Sequence, residues 1–226
     1  MLNNVMDVWN DVFSGGTNVD SIPSNPTSVL MAGSYDNYVL GNTALTRDKV
    51  ETVTFANTIT PPTNAIGSWD VSATQNGSVI AWYTDTDSNG LYELTIGGDG
   101  QVYANPNSSY LFYNYQSLKS MDTTYFNTVT ATDMSQMFCG AGYSATTFNL
   151  NLSNWNISKV TNMNFMFQST QKLQTLRLDN WATPTATVTN MFLNTNANIK
   201  VYVNSAFNQA YLSGTGLPAN AFVVVP

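Results

Sequence analysis

The stretch Trp155-NISKVTNMNFM-Phe167 sets the pattern on which the rest of the chain is arranged. It begins with a tryptophan, contains a Val-Thr-Asn-Met step and closes on a Met-Phe pair. Two further copies flank it, Phe126-NTVTATDMSQM-Phe138 and Trp181-ATPTATVTNM-Phe192, and the leading aromatic residues are 29 and 26 positions apart. Self-similarity at this period is typical of solenoid proteins, in which each copy packs on the next.

A short segment with alternating, largely apolar positions precedes each copy. The paired positions are Met121 and Thr123, Leu150 and Leu152, and Leu176 and Leu178. Such alternation predicts a strand with one buried face. One short strand cannot bury that face alone, so we expect the copies to pair their strands in parallel and to stack Trp on Trp and Met-Phe on Met-Phe. We also expect Asp133, Asn162 and Asn190 to occupy equivalent positions in a polar ladder.

The central copy resembles the repeats of the BspA-like leucine-rich repeat surface proteins, which are related to repeats of mycoplasma lipoproteins. Residues 155–167 follow that family's approximate signature, Trp-Asp/Asn-Val-Ser-x-Val-Thr-x-Met-x-x-Met-Phe, with Ile157 in place of Val. The segment from Ala81 to Phe112 also resembles the one that precedes the first repeat in this family. The resemblance implies a leucine-rich-repeat fold, display on a surface and, often, adhesion.

The predicted fold is mainly β with few helices. We expect a short leucine-rich-repeat-type solenoid of about three parallel-stranded repeats, capped by a β-rich N-terminal region and a C-terminal strand-helix-strand. The predicted divisions are a docking or oligomerisation helix at 1–16, the N-terminal region and cap at 17–108, the repeats at 109–198 and the C-terminal cap at 199–226. Strands in the N-terminal region are predicted at Ser28–Met31, Val50–Phe55, Ser78–Tyr83, Leu91–Ile96 and Gln101–Ala104, the third and fourth forming a hairpin.

Both ends of the chain carry helical patterns. Residues 1–13 have apolar side chains at three- and four-residue steps, and Gly15-Gly16 follows them. That helix either packs on its own domain or serves in docking and assembly. In the C-terminal cap we expect a strand at Ile199–Val203, a helix at Ser205–Leu212 and a strand at Phe222–Val225.

Composition restricts the functional class. The net charge is −7, only 9% of residues are charged, and 12% are aromatic. Such an acidic chain has no basic stripe for nucleic acid or anionic lipid, so neither partner is expected. No membrane span or signal peptide is recognised in the sequence. If the chain is complete, a phage structural protein released by lysis fits this pattern, as does a processed bacterial surface protein.

Catalytic and metal-binding patterns are scarce. Histidine is absent, and there is no Walker or dinucleotide glycine motif, so we expect neither an enzyme nor a cofactor. Asp85, Asp87 and Asn89 copy the first half of an EF-hand loop, but Ile96 stands where a bidentate Glu is required. We therefore predict a structural turn there and no metal site. Cys139, the only cysteine, follows the Met-Phe pair and is predicted to be a buried thiol.

The predicted function is that of a non-enzymatic, surface-exposed binding or adhesion module, at the cell surface or on a virion. The alternative is a phage virion component, such as a head or tail fibre or a decoration protein, with the repeats as an outer knob. The expected partner is a protein or glycan receptor on a cell surface, and residues 1–13 could mediate self-assembly.

Tyrosines that the core pattern does not use, together with the insertion Gly140–Thr147, form the candidate binding surface. They are Tyr110, Tyr113, Tyr115, Tyr125 and Tyr143. Tyrosine mixed with Asn and Ser is the composition of adaptable recognition surfaces. The other interpretation is that these rings merely cover the edges of the core.

Overall fold

The computed structural model describes residues 26–179, 181, 185–204 and 215–225. The helices predicted at 1–13 and at Ser205–Leu212 lie outside these residues. Within them the chain is mainly β, as predicted, and the helical segments are two 3₁₀ turns, Arg47–Lys49 and Ala219–Ala221. In the same residues there is no helix with the length and apolar character needed to cross a bilayer.

The strands are short and follow one another along the whole described chain. They are β1 (Tyr38–Val39), β2 (Asn42–Thr46), β3 (Val50–Ala56), β4 (Gly67–Asp70), β5 (Val79–Thr84), β6 (Tyr92–Gly98), β7 (Val102–Tyr103), β8 (Ser120–Asp122), β9 (Phe126–Asn127), β10 (Phe148–Asn151), β11 (Leu173–Arg177), β12 (Lys200–Val203) and β13 (Phe222–Val224).

Two sheets contain most of these strands. The first has the order β4-β5-β6-β3-β8 and the second β10-β11-β12-β13. β5 and β6 form the predicted antiparallel hairpin, with Ala81 opposite Ile96, whereas β3 runs parallel to both β6 and β8. The N–H of Asn149 in β10 donates to the carbonyl of Lys119, which precedes β8, over 3.2 Å. The N-terminal region therefore connects through β3 and β8 to the repeat strands.

The repeat strands pair in parallel, as their alternation predicted. Leu150 in β10 lies opposite Leu176 in β11, which lies opposite Val201 in β12. All three side chains are buried, while Asn149 and Lys200 on the same strands are exposed. β12 and β13, predicted from the C-terminal pattern, continue this parallel sheet. Its buried face is built from one or two apolar side chains per strand, so stability depends on the neighbouring copies.

A row of stacked phenylalanine rings shows that, within the described residues, the pattern occurs four times and not three. Ring centroids are 5.3 Å apart between Phe112 and Phe138, 5.5 Å between Phe138 and Phe167 and 5.3 Å between Phe167 and Phe192. All four rings are fully buried. The additional copy, around Asn107–Phe112, has no Met-Phe pair because Leu111 stands in place of Met.

Main-chain bridges fix the register of the copies. Asn107 pairs with Asp133, Asp133 with Asn162, and Asn162 with Thr187. The prediction that Asn190 is the equivalent of Asn162 is therefore wrong. The stacked Phe192 sets the alignment, and each bridging residue lies five positions before its phenylalanine. The shortening of the last copy is thus accommodated before Thr187.

Left-handed backbone recurs at two positions of every copy. The first row, with φ from 52° to 60°, consists of Tyr110, Gln136, Phe165 and Asn190. The second row, with φ from 57° to 73°, consists of Asn114, Gly140, Ser169 and Asn194. These residues turn the chain so that alternate N–H groups face the next copy: Phe112 donates to the Met137 carbonyl, and Phe138 to the Met166 carbonyl. The turn is a property of the repeat, because it forms whether or not the residue favours positive φ.

The leading aromatic residues pack into the same core. Phe126 stacks on Phe55 of β3 at 4.1 Å, and Trp155 contacts both Phe126 and Phe138. Trp181 donates its indole N–H to the Leu152 carbonyl over 2.9 Å. The indole N–H of Trp155 is buried with no hydrogen-bond partner.

The N-terminal region departs from prediction in its details. The segment predicted as a strand at Ser28–Met31 contributes only two isolated bridges, Val29 to Tyr103 and Leu30 to Ser72. Strands β1, β2 and β4 were not predicted, since none of them shows a long apolar alternation. β4 begins at Gly67, where a Cβ would lie 2.9 Å from the Tyr83 ring. A side chain at position 67 would therefore have to displace the Tyr83 ring, which the glycine avoids.

Candidate functional site

Arg47 joins the N-terminal region to the first repeat copy. Its guanidinium donates to four main-chain carbonyls, those of Ser34 at 2.7 Å, Tyr38 at 2.8 Å, Tyr110 at 2.8 Å and Tyr113 at 3.0 Å. The side chain is only 2% exposed, and Asp36 lies 3.7 Å from it. A buried cation is tolerated when its donors are satisfied in this way. Arg47 therefore fixes the loops 34–38 and 110–114 against each other.

A cluster of three tyrosines lies on these two loops. The Tyr35 ring packs edge-on against Tyr110, with centroids 5.3 Å apart, and tilted against Tyr113 at 4.7 Å. Tyr110 and Tyr113 also meet edge to face at 5.7 Å. Tyr35 is 67% exposed, while the other two rings are half-buried. We call these three residues the tyrosine cluster.

Hydrogen bonds hold the rings of the cluster in place. Gln136 of the next copy donates to the Tyr110 hydroxyl over 2.7 Å, and Tyr113 donates its hydroxyl to that of Tyr35 over 3.1 Å. Burial, followed by the hydrogen bond with Tyr35, raises the pKa of Tyr113 to about 12. Tyr113 consequently stays uncharged at neutral pH and offers an aromatic face rather than an ion.

A polar pocket of about 290 Å³ lies beside the cluster. It is lined by Asn37, Thr46, Arg47, Asp48, Asn114 and Gln116. We call it the amide pocket, since three of the six residues are amides. Arg47 is the one cationic residue that lines the pocket, and its guanidinium is buried and bound to main-chain carbonyls. Asp48 is therefore the only exposed charged side chain among the six lining residues.

The insertion in the second copy lies against the same surface. Gly142 donates its N–H to the Tyr115 carbonyl over 2.9 Å, and Ser144 donates to the Gln116 carbonyl over 2.8 Å. Tyr143, between these two anchors, is 49% exposed. A Cβ on Gly142 would lie 2.4 Å from the Phe148 ring, and its φ is +66°, so only glycine fits there. The insertion is thus anchored next to Gln116, one of the residues that line the amide pocket.

The structure brings together two of the five predicted binding residues, Tyr110 and Tyr113, in the tyrosine cluster. Tyr143 lies on the insertion, whose main chain is bonded to that of Tyr115 and Gln116. Tyr115 is a correction: it is fully buried, with its ring 5.6 Å from the Arg47 guanidinium, and cannot take part in an exposed face. Tyr125 is 36% exposed but lies near β7, where its carbonyl accepts from the Val102 N–H.

Sequence reasoning missed the N-terminal half of this surface. Tyr35, Asn37 and Tyr38 come from the stretch Ser34-YDN-Tyr38, whereas Asn114 and Gln116 lie within the face around residues 110 to 125 that was predicted to bind. The available signal was composition, because that stretch has the same mixture of tyrosine, amide and serine as the predicted site. The repeat pattern does not extend to this stretch, so it gives the stretch no place in the fold.

The EF-hand-like loop forms a turn closed by its own side chains. Asp85 and Asp87 accept from the N–H of Asn89, at 3.0 and 3.3 Å, and Asp85 also accepts from Gly90 at 3.2 Å. The Asn89 side chain in turn accepts from Leu91 at 2.7 Å. The oxygen atoms that would bind calcium are therefore used to stabilise the loop, in keeping with the predicted turn.

Asp87 instead approaches two other carboxylates. One oxygen from each of Glu51, Asp87 and Glu93 lies within 4.8 Å of the others. Lys119 forms an ion pair with Glu51. Burial opposes ionisation of Glu93, but hydrogen bonds from Thr84 and Thr86 lower its pKa overall. Lys119 therefore offsets one of the three negative charges, and the neutral donors of Thr84 and Thr86 stabilise the carboxylate of Glu93.

Cys139 is only partly buried. Burial raises the pKa of its thiol to about 11, so the reactive thiolate is scarce at neutral pH. The prediction of a buried thiol is therefore wrong in its extent, because the side chain is half-buried.

The repeats are similar to a known sequence family. Residues 106–210 match a family described as Mycoplasma protein of unknown function, DUF285. This match covers the four repeat copies and just under half of the chain. No curated protein and no solved structure matches the chain significantly.

Proposed function

We propose that this protein is a non-enzymatic recognition module, built as a short leucine-rich-repeat-type solenoid and displayed on a cell or virion surface, that binds a receptor through the tyrosine cluster. The BspA-like resemblance supports surface display and adhesion. Parallel repeat strands and the row of stacked phenylalanines support the solenoid. In this proposal, the region before Asn107 caps the first repeat through β3 and the residues after Ile199 cap the last.

The observation that carries the proposal is the fixation of exposed tyrosines by Arg47. Exposed aromatic rings cost little entropy on binding when they are already held in place. Tyr35 is held by ring contacts on two sides, and the loops beneath it are bound to one guanidinium. Tyrosines that only covered core edges would not need such a support.

Binding of the labelled full-length chain to a printed glycan array and to immobilised extracellular matrix proteins tests the proposal. The double substitution Tyr35→Ser with Tyr113→Ser should abolish the binding seen with the wild type. Tyr125→Ser is the matched control, since it removes a tyrosine near β7 and should leave binding unchanged. Unfolding temperatures measured in parallel separate loss of a contact from loss of the fold. An equal loss of binding in the double variant and in the Tyr125→Ser control would contradict the assignment of binding to the tyrosine cluster.

The alternative function is that of a phage virion component, a fibre or decoration protein with the repeats as an outer knob. The low charge content, 9%, and the helical pattern at 1–13 favour it. Here residues 1–13 mediate attachment or self-assembly. Light scattering of the full chain and of a chain lacking residues 1–16 tests this: the full chain should be the larger particle, and equal masses would argue against assembly through this segment.

A further inference from the structure

The amide pocket has the chemistry of a site for a neutral, polyhydroxylated ligand. We propose that it binds one monosaccharide unit of an uncharged glycan, with the tyrosine cluster and Tyr143 flanking the neighbouring units. This inference rests on the proposed function, because it specifies the ligand of the same surface. It goes further by locating specificity in Asn37, Asn114 and Gln116 rather than in the tyrosines.

Hydrogen-bonding capacity is the first argument. A carboxamide offers both a donor and an acceptor, which matches sugar hydroxyls that donate and accept at once. The side chains of Asn37, Thr46 and Gln116 form no hydrogen bond with the described protein, whereas the Gln116 carbonyl already accepts from Ser144 and the Asn37 carbonyl from Arg47. The unused polar groups of the pocket are thus side-chain groups, free to bind a ligand.

Charge argues against an anionic ligand. Asp48 is exposed at the pocket and Asp36 is close by, whereas the guanidinium of Arg47 is withdrawn behind the carbonyls that it binds. The chain also carries a net charge of −7. Phosphate, sulfate or sialic acid would meet repulsion from Asp48, and none of the six lining residues offers an accessible cation to offset it.

Ring geometry argues against an organic cation. Aromatic cages for quaternary ammonium groups need an open space between ring faces. In the tyrosine cluster the rings contact one another, with centroids 4.7 to 5.7 Å apart, so the space is filled by the rings themselves. Tyr35, which is 67% exposed, instead presents an outer surface on which an apolar sugar face can pack.

Size and rigidity fit a single sugar unit. A volume of about 290 Å³ is at the lower limit of small-molecule sites. The walls are fixed, because Arg47 binds the main chain on both sides and Gly140 leaves room for the Asn114 amide, whose oxygen would lie 2.4 Å from a Cβ at that position. A pre-formed site avoids the entropy of ordering loops on binding.

The test uses the full-length chain on an array that carries neutral, sialylated and sulfated glycans, followed by competition with free neutral monosaccharides. The wild type should bind neutral glycans. Asn37→Asp and Gln116→Glu keep the side-chain shape but replace the donor with a negative charge, so each should weaken binding about tenfold or more. Thr161→Ser, at an exposed position outside the pocket, is the control. Unfolding temperatures should stay unchanged.

The outcomes separate the two proposals. If tyrosine substitutions abolish binding to a matrix protein while Asn37→Asp and Gln116→Glu do not, the recognition function stands and the glycan pocket is refuted. Preference for sialylated or sulfated glycans, or no neutral glycan bound above background, also overturns the inference. Neutral binding that is lost in both pocket variants, with folding intact, establishes it.

Discussion

The Nη1 atom of Arg47 donates to the carbonyl of Tyr110 over 2.8 Å, although 63 residues separate them in the chain. Replacing Arg47 with Met should leave four carbonyls without their donor and cost about 3 to 5 kcal/mol of unfolding free energy. Arg47→Lys should recover only part of this, because an ammonium cannot reach both loops in the same geometry. Urea denaturation measures the difference. A cost below about 0.5 kcal/mol for Arg47→Met would show that Arg47 does not hold the loops together.

Ser169 occupies a left-handed position, with φ +59°, where the other three copies have Asn or Gly. Ser169→Asn should raise the unfolding free energy by about 0.5 kcal/mol, since Asn tolerates this conformation better. Ser158→Asn, at an exposed position that is not left-handed, is the control and should change little. A stabilisation equal in both variants would point to a general effect of Asn and not to the backbone.

The two tryptophans of the repeats differ in one hydrogen bond. Trp181 donates to the Leu152 carbonyl, whereas the indole N–H of Trp155 has no partner. Trp155→Phe removes an unsatisfied donor, so it should cost about 1 kcal/mol less than Trp181→Phe. Trp155→Ala should cost about 3 to 5 kcal/mol, because it empties a core position between Phe126 and Phe138. Thermal denaturation of the three variants gives the comparison. A loss of only a degree or two for Trp155→Ala would contradict the packing described here.

Stability should fall in alkali. Burial raises the pKa of Tyr115 to about 12, and the pKa of Tyr113 is also about 12, against about 10 for an unfolded chain. Above pH ~10 the unfolded chain therefore binds fewer protons than the folded one, and stability declines as pH rises towards 12. Denaturation at a series of pH values measures this.

The substitution Tyr115→Phe tests how much of this alkaline loss of stability comes from Tyr115. The buried Tyr115 hydroxyl has no hydrogen-bond partner, so Tyr115→Phe should be neutral or stabilising by about 1 kcal/mol at neutral pH. It should also reduce the alkaline loss. A variant with an unchanged alkaline profile would mean that Tyr115 titrates normally.

The repeat core could be predicted because its signal is local. Leu150 and Leu176 stand at equivalent positions of successive copies, and each alternates with polar residues. Because the copies stack in the same orientation, their strands must run parallel. The predicted equivalence of Asn162 and Asn190 was wrong. It aligned the last two copies on their shared Val-Thr-Asn-Met sequence, whereas the packing aligns them on Phe192. The copy around Phe112 was not predicted, because Leu111 stands where the pattern has methionine.

The binding surface was only half predictable, for a different reason. Arg47 binds main-chain carbonyls of residues distant in the sequence. The pattern of side chains in a sequence does not indicate which carbonyls an arginine will bind. Alignment of the fourth copy groups Tyr115 with Ala141 and Thr170, which are buried, and with Thr195, which is half-buried, so the enclosure of Tyr115 follows only from the fold. The position of Tyr35 follows only from the fold of the N-terminal region.

The place of β3 has a consequence for the chain while it is being made. β3 ends at Ala56, but its two neighbours, β6 and β8, end at Gly98 and Asp122. At about 5 to 20 residues per second, a ribosome needs on the order of 3 to 13 s to complete β8 after β3 has been synthesised. Until β6 is complete, after about 2 to 8 s at the same rate, both edges of this largely apolar strand lack their partners. One edge then stays unpaired until β8 follows, so nascent β3 offers a chaperone an exposed strand edge.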